Sequence, residues 1–143
     1  GCCYVGLGPV EDNLQDMHLR FCNNFNLTRN DKILLNYETY FSNFDPNAFP
    51  HPLHLMCSDF QRNIYEHLLR IPAGRWISYG DIATLLGRPN AARAVGQAVG
   101  KNCHAYIIPC HRVLSSSGGL HGYKWGRDLK EQLLRKEFGS LCI

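Results

Sequence analysis

The sequence carries seven cysteines, yet no two of them form a CxxC pair. They are Cys2, Cys3, Cys22, Cys57, Cys103, Cys110 and Cys142. An odd number without paired spacing supplies neither a disulfide framework nor a four-ligand zinc site. Long apolar runs are missing too, so no segment reads as a membrane-spanning helix. The opening residues "GCCYVGLG" lack the basic–apolar–small pattern of a secretory leader. Internal repeats and low-complexity tracts are also absent. The expectations are a reducing interior compartment (the cytoplasm, or the nucleus in a eukaryote), no membrane partner and no metal.

What is present is enough for one globular domain, or one domain with a small neighbour: 143 residues, 45% hydrophobic and 19% charged. The net charge of +3 is unevenly spread. From Met56 onward there are twelve Lys and Arg against six Asp and Glu, a balance of +6. Before it there are three against six, a balance of −3. A polyanion would bind the basic C-terminal part. The same charges could equally be an ordinary solvated surface.

Along the chain, "GCCYVGLG" reads as a short strand entering a glycine turn. Leu14, Met17, Phe21 and Phe25 then fall at helical spacing, and Ile33, Leu34, Tyr37 and Phe41 form a second, weaker helical pattern. "NFDPNAFPHPLH" has three prolines in twelve residues, which predicts a linker or extended crossing segment. It divides a small N-terminal α/β part, residues 1–50, from the main domain, residues 51–143.

In the main domain, Ser58 and Gln61 make a capping box ahead of a stripe of Phe60, Ile64, Leu68 and Ile71. Pro72 and Gly74 stop that helix. Ser78 and Asp81 make a second capping box before Tyr79, Ile82, Ala83 and Leu86. Gly87 ends that helix, and Pro89 and Asn90 start the next, which buries Ala91, Ala94, Val95, Ala98 and Val99. Two short helices joined by a glycine turn are a helix-turn-helix. The outer face of its second helix is Ala92, Arg93, Gly96, Gln97 and Gly100. Two glycines on one face cost about 1 kcal/mol each against alanine. Such a bare face suits close approach to a narrow groove or phosphate backbone, or packing on another protein element. "AYIIP" reads as a short buried strand, and "GRDLKEQLLRKEFG" as a last helix.

Cys110 stands between Pro109 and His111. A thiolate nucleophile needs a neighbouring imidazole or positive charge, and His111 and Arg112 supply both in sequence. Neighbours on an extended chain face opposite ways, so His111 helps only if the backbone turns or a water bridges the gap. A buried, inert cysteine fits these letters as well.

"IPCHRV", preceded by "ISYGDIA" and "AARAVG" and followed by "GYKWG" and "KEQLLRKE", closely resembles the O6-alkylguanine-DNA alkyltransferases. The likeness runs from about Phe60 to Glu137, and the "GYKWG" form is most similar to the bacterial adaptive-response branch. The resemblance implies a suicide DNA repair protein. It would transfer the alkyl group of O6-alkylguanine in duplex DNA irreversibly to Cys110, with base flipping and no cofactor. His111 would connect through water to Glu137. Tyr79 would help rotate the nucleotide and give a proton to the leaving base, and Arg93 would fill the gap in the duplex. Asn102, Ala92, Gly96 and Gln97 would join the DNA-binding surface. Tyr123, Lys124, Trp125 and Val113 would form the base pocket.

The implied partner is double-stranded DNA, met by a monomer through the minor groove and backbone with little sequence preference. The implied fold class is α/β: a truncated, ribonuclease-H-like N-terminal part and a mainly helical C-terminal domain with a winged-helix-like helix-turn-helix. Some relatives hold zinc through N-terminal Cys and His; Cys2 or Cys3 with His51 and His54 match this poorly. Three departures stand out: a short N-terminal part, Cys103 next to Asn102, and Lys124-Trp125 where many relatives have serine and glycine. A tryptophan there should narrow the pocket and slow bulky groups such as benzyl. Three alternatives remain. One is a non-enzymatic alkyltransferase-like lesion binder, which would carry tryptophan at position 110. The others are a helix-turn-helix regulator and a thiol hydrolase.

Overall fold

A computed structural model describes residues 4–6, 10–21 and 52–139. The second helical pattern, Phe25, most of the proline-rich crossing and the residues Cys2, Cys3, Cys22, His51 and Cys142 lie outside the described residues.

Helix α1 is Val10–Phe21, with Glu11 and Asp12 in its first turn where the helix dipole favours negative charge. Val5 forms a parallel bridge to His104. Its N–H donates to the Cys103 carbonyl at 2.7 Å and its own carbonyl accepts from Ala105 N–H at 2.8 Å. The N-terminal strand expectation thus survives as one bridge to the main domain.

Helix α2, Asp59–Leu69, starts at the capping box read from sequence, with both Ser58–Gln61 bonds present. It buries Ile64, Tyr65 and Leu68, with Phe60 and Ile71 packed at the edge of the same cluster. Strand β1, Ile77–Ser78, runs straight into helix α3, Tyr79–Leu85, through the Ser78–Asp81 capping box. Ile82 and Ala83 face the core. Gly87, with φ +69°, turns the chain after the Leu86 cap, a conformation a β-carbon would strain.

Helix α4 is Ala92–Gly100. Pro89 and Asn90 do not start it. The cap is Ala91, and no side chain bonds the first turn. Val95, Ala98 and Val99 are buried, but Ala94, expected beside them, is exposed. Successive helical residues are about 100° apart, so a stripe fixed by Val95 and Val99 carries Ala94 out to the rim. The Tyr65 hydroxyl donates to the Ala98 carbonyl at 3.1 Å and fastens α2 to α4.

"AYIIP" is buried, as expected, but it is not a strand. Ile107 N–H bonds back to Ala105 C=O at 2.7 Å over Tyr106, whose φ is +67°. Cys110 N–H bonds back to Ile108 C=O at 2.7 Å over Pro109, at φ −78° and ψ 61°. Two successive i→i+2 turns shorten the segment, the second an inverse γ-turn. The β structure comes later: β2, Val113–Leu114, pairs in parallel with β1 in the register Ile77↔Val113 and Ser78↔Leu114. Helix α5, Arg127–Phe138, closes the domain and buries Leu134. The architecture is mixed: helices packed around a two-stranded parallel sheet. Among the described residues, no helix is long and apolar enough to cross a membrane.

Candidate active site

Cys110 opens a single 3₁₀ turn, Cys110–Arg112, placed directly after the Pro109 γ-turn. Proline fixes φ and lacks an N–H, so the backbone aims the sulfur without needing a ladder. The thiol is 3% exposed and faces the core cluster with Tyr79, Tyr123 and Trp125 at its edge. Asn102 Nδ2 donates to its Sγ at 3.0 Å and to the Ile108 carbonyl at 3.0 Å. Asn102 Oδ1 accepts the His104 N–H at 2.9 Å. Asn102, expected on the DNA-binding face, is instead 1% exposed and spends its amide on the sulfur and the backbone leading to it.

Burial pushes the Cys110 thiol above its ordinary range, against the Asn102 bond and the Lys130 charge, which favour the thiolate. The sulfur is therefore a protonated thiol in the protein alone, held among groups that support its ionised form.

His111 does not bond to Cys110. Its ring stacks on Tyr106 with centroids 5.8 Å apart and planes 5° from parallel. Its Nε2 lies 2.8 Å from Glu137 Oε1. Burial lowers the His111 pKa despite Glu137, so the ring is neutral. Burial would raise Glu137, but the bonds from His111 and Arg112 outweigh it and hold the carboxyl at about 2. An ionised carboxylate only accepts, so Nε2 carries the hydrogen and Nδ1 carries the lone pair. That Nδ1 is buried and bonded to nothing among the described residues. A buried nitrogen without a partner costs on the order of 1–3 kcal/mol, and its lone pair is open to a proton.

Arg112 is an internal strut: its Nε and Nη2 grip the two Glu137 oxygens at 2.8 and 2.7 Å, and Nη1 donates to the Ile71 carbonyl at 2.5 Å. The pair's side chains are each 1% exposed.

Lys130 is the residue that sequence reading missed. It is fully buried on α5, and its ammonium donates to the Val113 carbonyl at 2.6 Å and the His121 carbonyl at 3.4 Å. It also lies 5.9 Å from the Tyr123 ring centre. Burial lowers its pKa to about 8, with Cys110 pulling the other way. The available signal was its helical spacing. Lys130 and Leu134 lie four apart on α5, on one face, and Leu134 is an apolar, core-facing residue. Val113 is fully buried, its carbonyl held by Lys130.

Tyr123 and Trp125 meet edge to face at 5.4 Å. The Tyr123 hydroxyl makes no hydrogen bond of regular geometry, yet it sits close enough to Cys110 to lower the thiol pKa. Lys124 points away from the sulfur and pairs with Asp16.

Tyr79, Gly80, Ala92, Arg93, Gly96 and Gln97 line one open groove together with Ser115, Ser116 and His121. The bare face read from sequence is open; a β-carbon on Gly96 would first meet the Tyr79 ring at 3.8 Å, and one on Gly100 would meet nothing. Arg93 and Gln97 are exposed on it. The Tyr79 hydroxyl donates to the His121 carbonyl at 3.3 Å, and burial raises its pKa, with Cys110 adding to the rise. Tyr79 thus belongs both to the groove and to the edge of the sulfur's cluster.

Known proteins share this arrangement of sequence. The chain is 49% identical over 83 residues to a methylated-DNA–protein-cysteine methyltransferase of Saccharomyces cerevisiae (strain ATCC 204508 / S288c), a match covering 58% of this chain and 44% of that protein. The chain thus spans less than half the length of that relative. A crystal structure of Mycobacterium tuberculosis OGT in complex with DNA aligns at a TM-score of 0.66 and 42% identity, covering 73% of this chain and 66% of that one. The O6-methylguanine-DNA methyltransferase of Pyrococcus kodakaraensis strain KOD1 aligns at 0.73 and 27% identity, over 90% and 78%. Residues 59–138, from the first turn of α2 to the last residue of α5, match the family described as "6-O-methylguanine DNA methyltransferase, DNA binding domain". The buried Cys110 turn, the His111–Glu137 pair and the open helix groove all fall inside that span, and the chain belongs to this family.

Proposed function

We propose that this chain repairs DNA by taking the alkyl group of O6-alkylguanine onto Cys110, once per molecule. Residues 51–143 carry the reaction, and residues 1–50 are read as a small ribonuclease-H-like α/β part and linker. The helix pair α3–α4 with its flanking strands is read as a winged-helix-like DNA-binding unit. The observation that carries the proposal is the joint placement of a buried sulfur, a neutral imidazole with a free Nδ1 and a groove of small residues with one exposed arginine.

The target oxygen is inside a base stack, so the nucleotide must be swung out at a cost of a few kcal/mol. A duplex lies along α4, where small side chains let the backbone come close, and binding rests on phosphate contacts and falls with salt. Arg93 fills the vacancy. The base enters beside Tyr79, Tyr123 and Trp125.

Chemistry starts with transfer of the Cys110 proton to His111 Nδ1, through a water. Glu137 stabilises the imidazolium that forms. Asn102 and Lys130 stabilise the thiolate. The sulfur attacks the alkyl carbon; the S–C bond forms as the C–O6 bond breaks, and its electron pair leaves on guanine. Tyr79 gives that base a proton and recovers one by way of His111. A thioether has no route back, which makes the reaction stoichiometric. The protein acts as a monomer in the cytoplasm, or in the nucleus of a eukaryote.

Mass spectrometry of the intact protein after mixing with a duplex holding one O6-methylguanine tests this. One methyl in place of one hydrogen on the Cys110 peptide, absent in Cys110→Ala, supports transfer. Tight binding with an unmodified sulfur would reassign the chain to lesion recognition alone.

A further inference from the structure

We propose that Lys124 and Asp16 form a latch through which helix α1 sets the width of the base pocket, so that Asp16 and Tyr4 are positioning residues for substrate specificity. The inference rests on the functional reading above and deepens it.

Lys124 lies between Tyr123 and Trp125, the two rings of the proposed base pocket, but its ammonium reaches to the N-terminal part. It pairs with Asp16 Oδ2 at 2.5 Å, with 19% and 26% of the two side chains exposed. The same ammonium sits 5.3 Å from the Tyr4 ring centre and 5.1 Å from that of Trp125. The Tyr4 hydroxyl in turn donates to Asn13 Oδ1 at 3.1 Å, one helical turn before Asp16. One cation therefore gathers an acid and an aromatic ring from the N-terminal part and a second ring from the pocket. Partial burial strengthens both kinds of contact relative to open water.

The loop that holds the rings needs an anchor. Gly122 and Gly126, at φ +53° and +96°, flank it as two pivots. Between them the residues form only a turn, closed by Gly126 N–H to Tyr123 C=O at 3.0 Å. With the latch made, Trp125 is held edge-on against Tyr123 and the pocket admits small groups. With it broken, the loop pivots and the Trp125 indole withdraws. The wall is thus braced by residues more than a hundred positions away in sequence.

Single-turnover alkylation of Cys110 is followed by mass spectrometry on duplexes carrying O6-methylguanine or O6-benzylguanine. The proteins are wild type, Asp16→Asn, Lys124→Met and the exchanged pair Asp16→Lys with Lys124→Asp. Each single change should raise the benzyl-to-methyl rate ratio by about tenfold, and the exchanged pair should restore most of it, as coupled residues do. Asp16→Asn should keep the methyl rate. Amide hydrogen exchange over residues 122–126 should quicken in both single variants. A wild type that reacts while the ratio stays put in both single variants overturns the latch and leaves the repair reading intact. A wild type that does not react removes the repair reading; exchange over 122–126 then decides whether the latch exists, and unchanged protection overturns it.

Discussion

The Asn102 side chain bonds the Cys110 sulfur with its Nδ2 and the backbone of its own turn with its Oδ1. One amide thus fixes the nucleophile and favours its ionised form. Asn102→Ala should slow alkyl transfer by about tenfold or more and cost roughly 1–3 kcal/mol, because buried backbone groups lose their partner. Asn102→Asp keeps the shape but places an acceptor-only carboxylate against a forming thiolate. It should be slower still in a quenched-flow assay, and equal rates for the two variants would assign Asn102 to scaffolding only.

Glu137 ties α5 to both His111 and Arg112. Glu137→Gln leaves a buried guanidinium poorly paired and should cost about 3 kcal/mol in urea denaturation. The wild type should also lose stability in acid. His111 has a lowered folded pKa, so the unfolded chain takes protons first as pH falls through its ordinary 6.5. Glu137 has a folded pKa of about 2 against an ordinary 4.5, so its contribution is full above 4.5 and fades toward 2. Glu137→Gln should flatten the lower part of that curve. A midpoint that does not move between pH 6.5 and 3 in the wild type would contradict this assignment.

Lys130 is a buried ammonium whose carbonyl partners offset only part of its lost hydration. Lys130→Met should leave the melting temperature unchanged or raise it, since an apolar chain of similar length fits a buried site without the desolvation cost. Alkyl transfer at pH 7 should fall by about tenfold, because the sulfur loses the buried cation that favours its thiolate. A variant that reacts at the wild-type rate would leave the lysine without a part in the reaction.

Gly96 separates stability from binding. A methyl group there meets the Tyr79 ring only at ordinary contact distance, and alanine is favoured over glycine in a helix by about 1 kcal/mol. Gly96→Ala should therefore raise the melting temperature while weakening duplex binding in fluorescence anisotropy, and Gly96→Val should weaken it further. Unimpaired duplex binding by the valine variant would place DNA elsewhere on the surface.

Much of this was legible in the sequence where local chemistry decides the outcome. The two capping boxes, at Ser58 and Ser78, use bonds between residues three apart, and both formed as read. The helical stripes of α2 and α3 and the Gly87 turn followed from spacing and from positive φ. What failed depended on the third dimension. "AYIIP" has the composition of a strand, but Tyr106 at φ +67° breaks the extended path, and nothing in the letters marks a tyrosine for that conformation. Asn102 was expected on the DNA-binding surface; its bond to Cys110 crosses two turns whose geometry only the fold sets. Lys130 looked like one more cation on a charged helix; that its face is the buried one follows from how α5 seats against the Cys110–Arg112 turn.

The two-rung ladder between β1 and β2 has a mechanical consequence. Ser78, which caps the helix bearing Tyr79, is in register with Leu114, and Ile77 is in register with Val113, the residue that ends the Cys110 turn. Helix α3, at the edge of the open groove, and the turn that carries the sulfur are thereby spliced by backbone into one lever. A load on either end would be carried to the other through the ladder, so in the proposed repair reaction the sulfur would keep its aim as the groove side moves.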